Sequence, residues 1–411
     1  MNNRIGTAES AVVNPNTARS QTLCENFRKR KSVRIIVSIG FIIVIIAMPI
    51  VYVNETKREK TSTTEITKTT TTIELIATKT TTTTTNTTTT TATTITTTTI
   101  SEQLIPSVSI NNNTQWKQYA STIAGGNGRG NKSNQLIHPH GIYVDNDDDS
   151  IYIADTDNHR VVRWGFGAKN GEIVAGGTGS GRELYQLNFP LDVVLDKEKK
   201  YLIICDQRNV RVMRWSLQNS QNPQVLIDRI VCWGLAMDNN GDLYISDWSE
   251  HKVIRWKQGD TEGTIVAGGH GEGNQFNQLN QPRYIFVDDY YSVYVADTTN
   301  NRVMKWMKNV TEGSLITPGK VSEENPSSMF QPVGVIVDQM GNIYVSNEGS
   351  HQIKRWSRGA LDGPTIIGEN GGGSGPTQLR FPQDLSFDRQ GNLYVVDTSN
   401  HRIQKFLIDL D

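Results

Sequence analysis

Ile151-Tyr-Ile-Ala-Asp-Thr-Asp-Asn-His-Arg-Val-Val-Arg-Trp164 is the clearest of six copies of one pattern, which end at Trp164, Trp215, Trp256, Trp306, Trp356 and Phe406. The ends are 51, 41, 50, 50 and 50 residues apart. Around the clearest copy, Gly141 to Asp145, Ile151 to Ala154, Val161 to Trp164 and Glu172 to Ala175 are β-branched and aromatic runs too short to be helices. Turn signals separate such runs: Asn239-Asn-Gly-Asp242, Gln339-Met-Gly-Asn342 and Arg389-Gln-Gly-Asn392, each with a glycine free to take a positive φ. Four short strands repeated at this period cannot bury both faces of one sheet alone, so the pattern predicts an all-β fold of sheets arranged around an axis.

Within each copy an acid and a base stand five residues apart: Asp155 and Arg160, Asp206 and Arg211, Asp247 and Lys252, Asp297 and Arg302, Asp397 and Arg402. The fifth copy loses both charges together, as Asn347 and Gln352. Joint loss marks a structural pair that meets across the turn between second and third strands, because an orphaned buried charge is costly.

Asn158-His159-Arg160 and Asn400-His401-Arg402, with the Ala-Gly-Gly runs at 175–177 and 267–269, resemble the NHL repeat over roughly residues 116–408. The resemblance implies a six-bladed β-propeller. Val210 and Asn301 replace the histidine in the second and fourth copies, and the third begins early, without a glycine-rich connection. Ring closure is legible too. Thr122-Ile-Ala-Gly-Gly126 reads as a fourth strand without its first three, and the last copy has three strands before the chain ends at Asp411, so strand 122–125 completes the last blade and removes an open sheet edge.

The remainder of the chain predicts residues 1–32 as a disordered cytoplasmic tail, 33–53 as a transmembrane helix, 54–115 as a Thr-rich extracellular stalk and 116–411 as the propeller. The 19 residues from Ile35 to Val53 carry no charge, enough at about 1.5 Å per residue to cross a hydrocarbon core of about 30 Å. Arg28, Lys29, Arg30, Lys31 and Arg34 crowd the preceding side, which predicts a type II, signal-anchor topology with the propeller outside or in a lumen. A cleaved signal peptide is the rival, but its apolar region is usually about 7 to 15 residues. From Thr61 to Thr99, 26 of 39 residues are threonine, a composition suited to an O-glycosylated stalk rather than a core. Sequons at Asn86, Asn112, Asn131 and Asn309 fit the same side. Cys205 and Cys232 fall on one rim of adjacent blades, where either a disulfide or two buried thiols would fit.

A ligand site on a ring of repeats should break the repeat. The variable place is the start of each first strand, where His140-Gly141, Leu191-Asp192, Trp233-Gly234, Arg283-Tyr284, Val333-Gly334 and Gln383-Asp384 are equivalent. First strands of a propeller line the central channel, so His140, Asp192, Trp233, Arg283, Tyr284 and Asp384 are the candidate ligand-binding residues. The expected partner is an extracellular protein or a glycan, in a binding or scaffold role.

No cofactor is expected, with two places where a metal would fit. His138 and His140, one residue apart on a strand, would face one way and offer zinc two ligands; a peptide-amidating lyase with an NHL-like fold and a metal makes a membrane-tethered lyase or hydrolase the alternative function. The acidic turn Asn146-Asp-Asp-Asp149 would suit calcium. His159, His251, His351 and His401 recur at one position and are expected to be satisfied within their own turns. Relation to NHL-containing ubiquitin ligases would be without their RING domain, since three scattered cysteines cannot hold two zincs. Residues 116–411 hold 29 bases against 35 acids, a net of −6 that argues against a nucleic-acid partner.

Overall fold

The computed structural model describes residues 110–111, 113–218, 222–317, 329–360 and 362–410. The tail, the apolar segment, nearly all of the Thr-rich stretch, Asn86 and Asn112 lie outside them. Among the described residues no helix is long and apolar enough to cross a membrane.

Among the described residues, beside one two-stranded sheet, there are six four-stranded antiparallel sheets. Their first strands are Pro139–Asp145, Pro190–Leu195, Cys232–Met237, Pro282–Val287, Pro332–Val337 and Pro382–Phe387, which open blades 1 to 6. Each first strand contacts that of the next blade, and the sixth contacts the first, so the six enclose the axis. Blade 6 takes its outer strand from the other end of the chain: Ser121–Gly125 pairs antiparallel with Arg402–Phe406. A second seal lies beside it, where Gln115–Trp116 pairs with Ile408–Asp409 and Trp116 Nε1 donates to Gly391 O at 3.0 Å.

The core lies between blades. The aromatic that ends each third strand packs there, with Trp164, Trp215, Trp306, Trp356 and Phe406 buried and Trp256 half-buried. Burial of such side chains stabilises the ring by roughly 2 kcal/mol apiece or more.

Polar contacts join the blades. His159 Nδ1 accepts from Phe189 N at 3.2 Å, His251 Nδ1 from Gln281 N at 3.1 Å, His351 Nδ1 from Phe381 N at 3.2 Å and His401 Nδ1 from His138 N at 3.1 Å. The expectation that these rings are satisfied within their own turns is therefore corrected: each takes a left-handed backbone conformation, with φ between 51° and 61°, and each ring pins the following blade. Asn301 keeps the same function through Oδ1, which accepts from Gln331 N at 2.8 Å.

The five-residue acid and base spacing has a related purpose. Arg160 Nε donates to Asp155 at 2.7 Å while its remaining nitrogens donate to the carbonyls of Asn131, Lys132 and Gln135, in the connection leading into blade 1. Arg211 on Asp206, Arg302 on Asp297 and Arg402 on Asp397 repeat this clamp on their own connections. Burial pushes these four carboxyls up, against the pull of their arginines and amide donors.

Blade 3 departs from that pattern, and the expected Asp247 and Lys252 pair is corrected. Lys252 Nζ stands 3.9 Å from Glu250, and Asp247 Oδ1 accepts from Ser249 and Glu250 instead. The reason is the connection into blade 3: only residues 229–231 separate Gln224–Asp228 from Cys232–Met237, so there is no loop to clamp. Val210, whose side chain cannot accept a hydrogen bond, precedes this junction, and here a disulfide joins Cys205 of blade 2 to Cys232 of blade 3. A covalent bond stands where other junctions have a polar pin.

Candidate ligand-binding site at the channel mouth

The side chains at the mouth are placed by a defect repeated six times. Each first strand breaks register with the second just after its opening residue: between Pro139 and Ile142, Pro190 and Asp192, Cys232 and Leu235, Pro282 and Ile285, Pro332 and Val335, and Pro382 and Leu385. A bulge re-aims side chains away from regular alternation. The bulged positions coincide with the variable positions of the repeat.

Three of the six candidates meet at the mouth. Arg283 Cζ lies 4.5 Å from the centroid of the Trp233 ring, close enough for a cation–π contact. His140, from the far side, has its ring 6.4 Å from Trp233 and 6.1 Å from Phe189. Trp248 adds a second indole 6.4 Å from Trp233, and Glu348 pairs with Arg283 Nη1. Trp233 Nε1 and Arg283 Nε are buried without a hydrogen-bond partner among the described residues. His140 Nδ1 lies 2.9 Å from His138 O, and burial pulls its pKa down to about 4, with Arg283 adding to the effect. At neutral pH the imidazole is uncharged, donates through Nδ1 and leaves Nε2 as an acceptor.

The other three candidates brace the ring beneath. Asp192 Oδ2 accepts from Leu235 N at 2.7 Å, and Asp384 Oδ2 accepts from Ile142 N at 3.0 Å, so each carboxyl ties its own blade to the next. Their second oxygens accept from Val193 N and Leu385 N. Tyr284 Oη donates to Leu191 O at 3.0 Å, from blade 4 to blade 2. Burial raises both acids, Asp384 to about 7, with the neighbouring Asp384 charge adding to the rise of Asp192. Glycine at 141 is required: a Cβ there would collide with Asp192 Oδ1.

Trp248 and Glu348 were missed by sequence reasoning, although the same test finds them one position after the conserved acid or amide of each copy. Where that position is threonine, its hydroxyl staples the next blade: Thr156 to Pro190 O, Thr298 to Pro332 O and Thr398 to Pro139 O. Trp248 and Glu348 interrupt this threonine pattern and turn to the mouth.

The histidine pair expected for zinc does not converge. His138 precedes the strand with φ 43°, which sends its ring outward, where Nδ1 lies 2.6 Å from Asp157 Oδ2 and the ring meets His401. His140 turns inward. The acidic turn expected for calcium is engaged by cations: Lys199 with Asp145 and Asp147, Arg389 with Asp147 and Arg163 with Asp148. Among the described residues no three His, Cys, Asp or Glu side chains form a metal-sized group. Asn131 and Asn309 are exposed.

Six closed blades define the class: the protein is a six-bladed β-propeller. Two of its stretches, residues 136–164 and 379–406, match the NHL repeat family, so the chain carries NHL repeats. No curated protein matches it. Among solved structures it is similar to a structural genomics protein of unknown function from Bacteroides thetaiotaomicron, at 18% identity and TM-score 0.57 over 72% of this chain and 77% of that one. An auxiliary nutrient binding protein from the same organism has 16% identity, TM-score 0.57 and the same coverages. A gluconolactonase from Xanthomonas campestris has 13% identity and TM-score 0.50 over 68% of this chain and 88% of that one. At these identities the likeness is one of fold.

Proposed function

We propose that the chain is a membrane-anchored binding protein whose propeller recognises an extracellular protein or glycan at the channel mouth. Similar folds serve an auxiliary nutrient binding protein and a gluconolactonase, so the fold does not choose between binding and chemistry and the site must. One observation carries the reading: Trp233, stacked under Arg283 at 4.5 Å, presents an aromatic surface, and Trp233 Nε1 and Arg283 Nε are buried donors without a partner among the described residues. Arg283 is neutralised by Glu348 and His140 is neutral, so the mouth suits polar, weakly charged groups that both donate and accept. The diverging histidines supply no metal pair for a lyase.

The apolar segment 33–53 supports the anchor, and the threonine tract supports a stalk that holds the propeller clear of the bilayer. Capture of ligand from extracellular material by the full chain, with a glycan array in parallel, tests the site. Trp233→Ala and Arg283→Ala should each weaken binding by about 2 kcal/mol, roughly 30-fold, as aromatic and arginine anchors do. Equal capture by wild type and both variants removes the mouth as the site.

A further inference from the structure

The grooves between neighbouring blades are copies of one site, and the copies are filled differently. On one wall of each groove a second-strand residue stands opposite a basic residue of the third strand. On the other wall lies the turn after the third strand of the next blade.

Between blades 6 and 1 the first wall is Tyr394 opposite Lys405. Phe166, two residues beyond Trp164, lies across Tyr394 with ring centroids 6.0 Å apart and planes 24° from parallel. Lys405 Nζ is 5.5 Å from the Phe166 centroid and 5.0 Å from that of Tyr394. Between blades 5 and 6 the equivalent pair is Tyr344 and Arg355. Here Trp116 supplies the ring, edge-on to Tyr344 at 5.5 Å with Arg355 Cζ 6.0 Å from its centroid. Two grooves therefore hold an aromatic ring against a tyrosine and a cation.

Between blades 3 and 4 the same wall is present, as Tyr244 opposite Arg255. The residue equivalent to Phe166 is Lys308, which turns away to place Nζ 4.0 Å from the Tyr291 centroid. A cleft of ≈ 380 Å³ results, lined by Tyr244, Arg255, Ile265, Met307 and Val310 among others, against ≈ 100 Å³ beside Phe166. The charge differs as well. Lys405 pairs with Asp388 at 2.8 Å, whereas Arg255 Nε is 3.9 Å from Asp242 and is buried without a hydrogen-bond partner among the described residues.

We propose that this groove docks an aromatic side chain of a protein partner, presented beside an acidic residue. The ring takes the place that Phe166 occupies in the sister groove, between the exposed Ile265 and Met307 and above the buried Tyr244. The acid pairs with Arg255, whose ion pair with Asp242 is long at 3.9 Å and leaves Nε without a hydrogen bond among the described residues.

The test uses the full chain made in a host that adds no N-glycans, because Asn309 lines the cleft and belongs to a sequon. The probe is a fluorescein-labelled peptide with one phenylalanine between two aspartates, followed by fluorescence polarisation. Saturable binding is expected, weakened about 10-fold or more when the peptide phenylalanine becomes alanine. Lys308→Phe supplies a ring from the chain itself and should weaken the peptide about 10-fold or more, with a melting temperature no lower than wild type to show that the fold is intact. Arg255→Gln should abolish the preference for aspartate over asparagine in the peptide. No saturable binding up to millimolar peptide, or equal affinity in Lys308→Phe, overturns the proposal.

Discussion

Asp384 accepts from two backbone N–H groups on two blades while buried, and burial makes its proton part of the fold. Its value of about 7, raised by burial, exceeds the ordinary carboxylate value that it regains on unfolding. Such a group takes up a proton on folding, so the stability it contributes is complete in acid and is lost as pH rises through about 7. Asp384→Asn removes the titration. The melting temperature of the variant, relative to wild type, should therefore climb between pH 4 and pH 7.5; a constant difference across that window would assign the dependence to other groups. At this scale the variable mouth residues were legible because six copies serve as an internal alignment. The partner of His159 was not, since it lies 30 residues on, across a boundary between blades that no local pattern reveals.

Among the elements, the junction of blades 2 and 3 is the one built differently. Its connection is too short for an arginine clamp, the Val210 side chain offers no acceptor in place of histidine, and the disulfide between Cys205 and Cys232, 27 residues apart, crosses it. Replacing both cysteines with alanine should cost about 3 kcal/mol in chemical denaturation. Hydrogen exchange should rise in Cys232–Met237 more than in Pro332–Val337; equal change in the two strands would mean that the bond does not guard this junction. Strand positions followed from short β-branched and aromatic runs and the turn residues between them. The six bulges did not, because a bulge depends on how two strands slip past each other. The proline before the variable pair, at 139, 190, 282, 332 and 382, was its only trace.

For the whole molecule, closure depends on residues separated by nearly the full length of the propeller. Deleting Ser121 to Gly125 leaves Arg402–Phe406 with an unpaired edge and should lower the melting temperature by about 5 °C or more. An unchanged midpoint would show that Gln115–Trp116 and the inter-blade core suffice. The blade count was readable from six terminal aromatics and the closure from two incomplete copies. The division of labour at the mouth was not: Asp192, Tyr284 and Asp384 share the variable positions with Trp233 and Arg283, and only their partners distinguish a brace from a contact surface.

The three-residue link into blade 3 also shapes access from the side. Where a long connection leads into every other blade, the rim beside Trp233 and Trp248 has almost no parapet. A polymer seated on those two indoles can run outward through that notch instead of ending within the ring. The recognition proposed for the mouth would then read an internal segment of a long chain as readily as a free end.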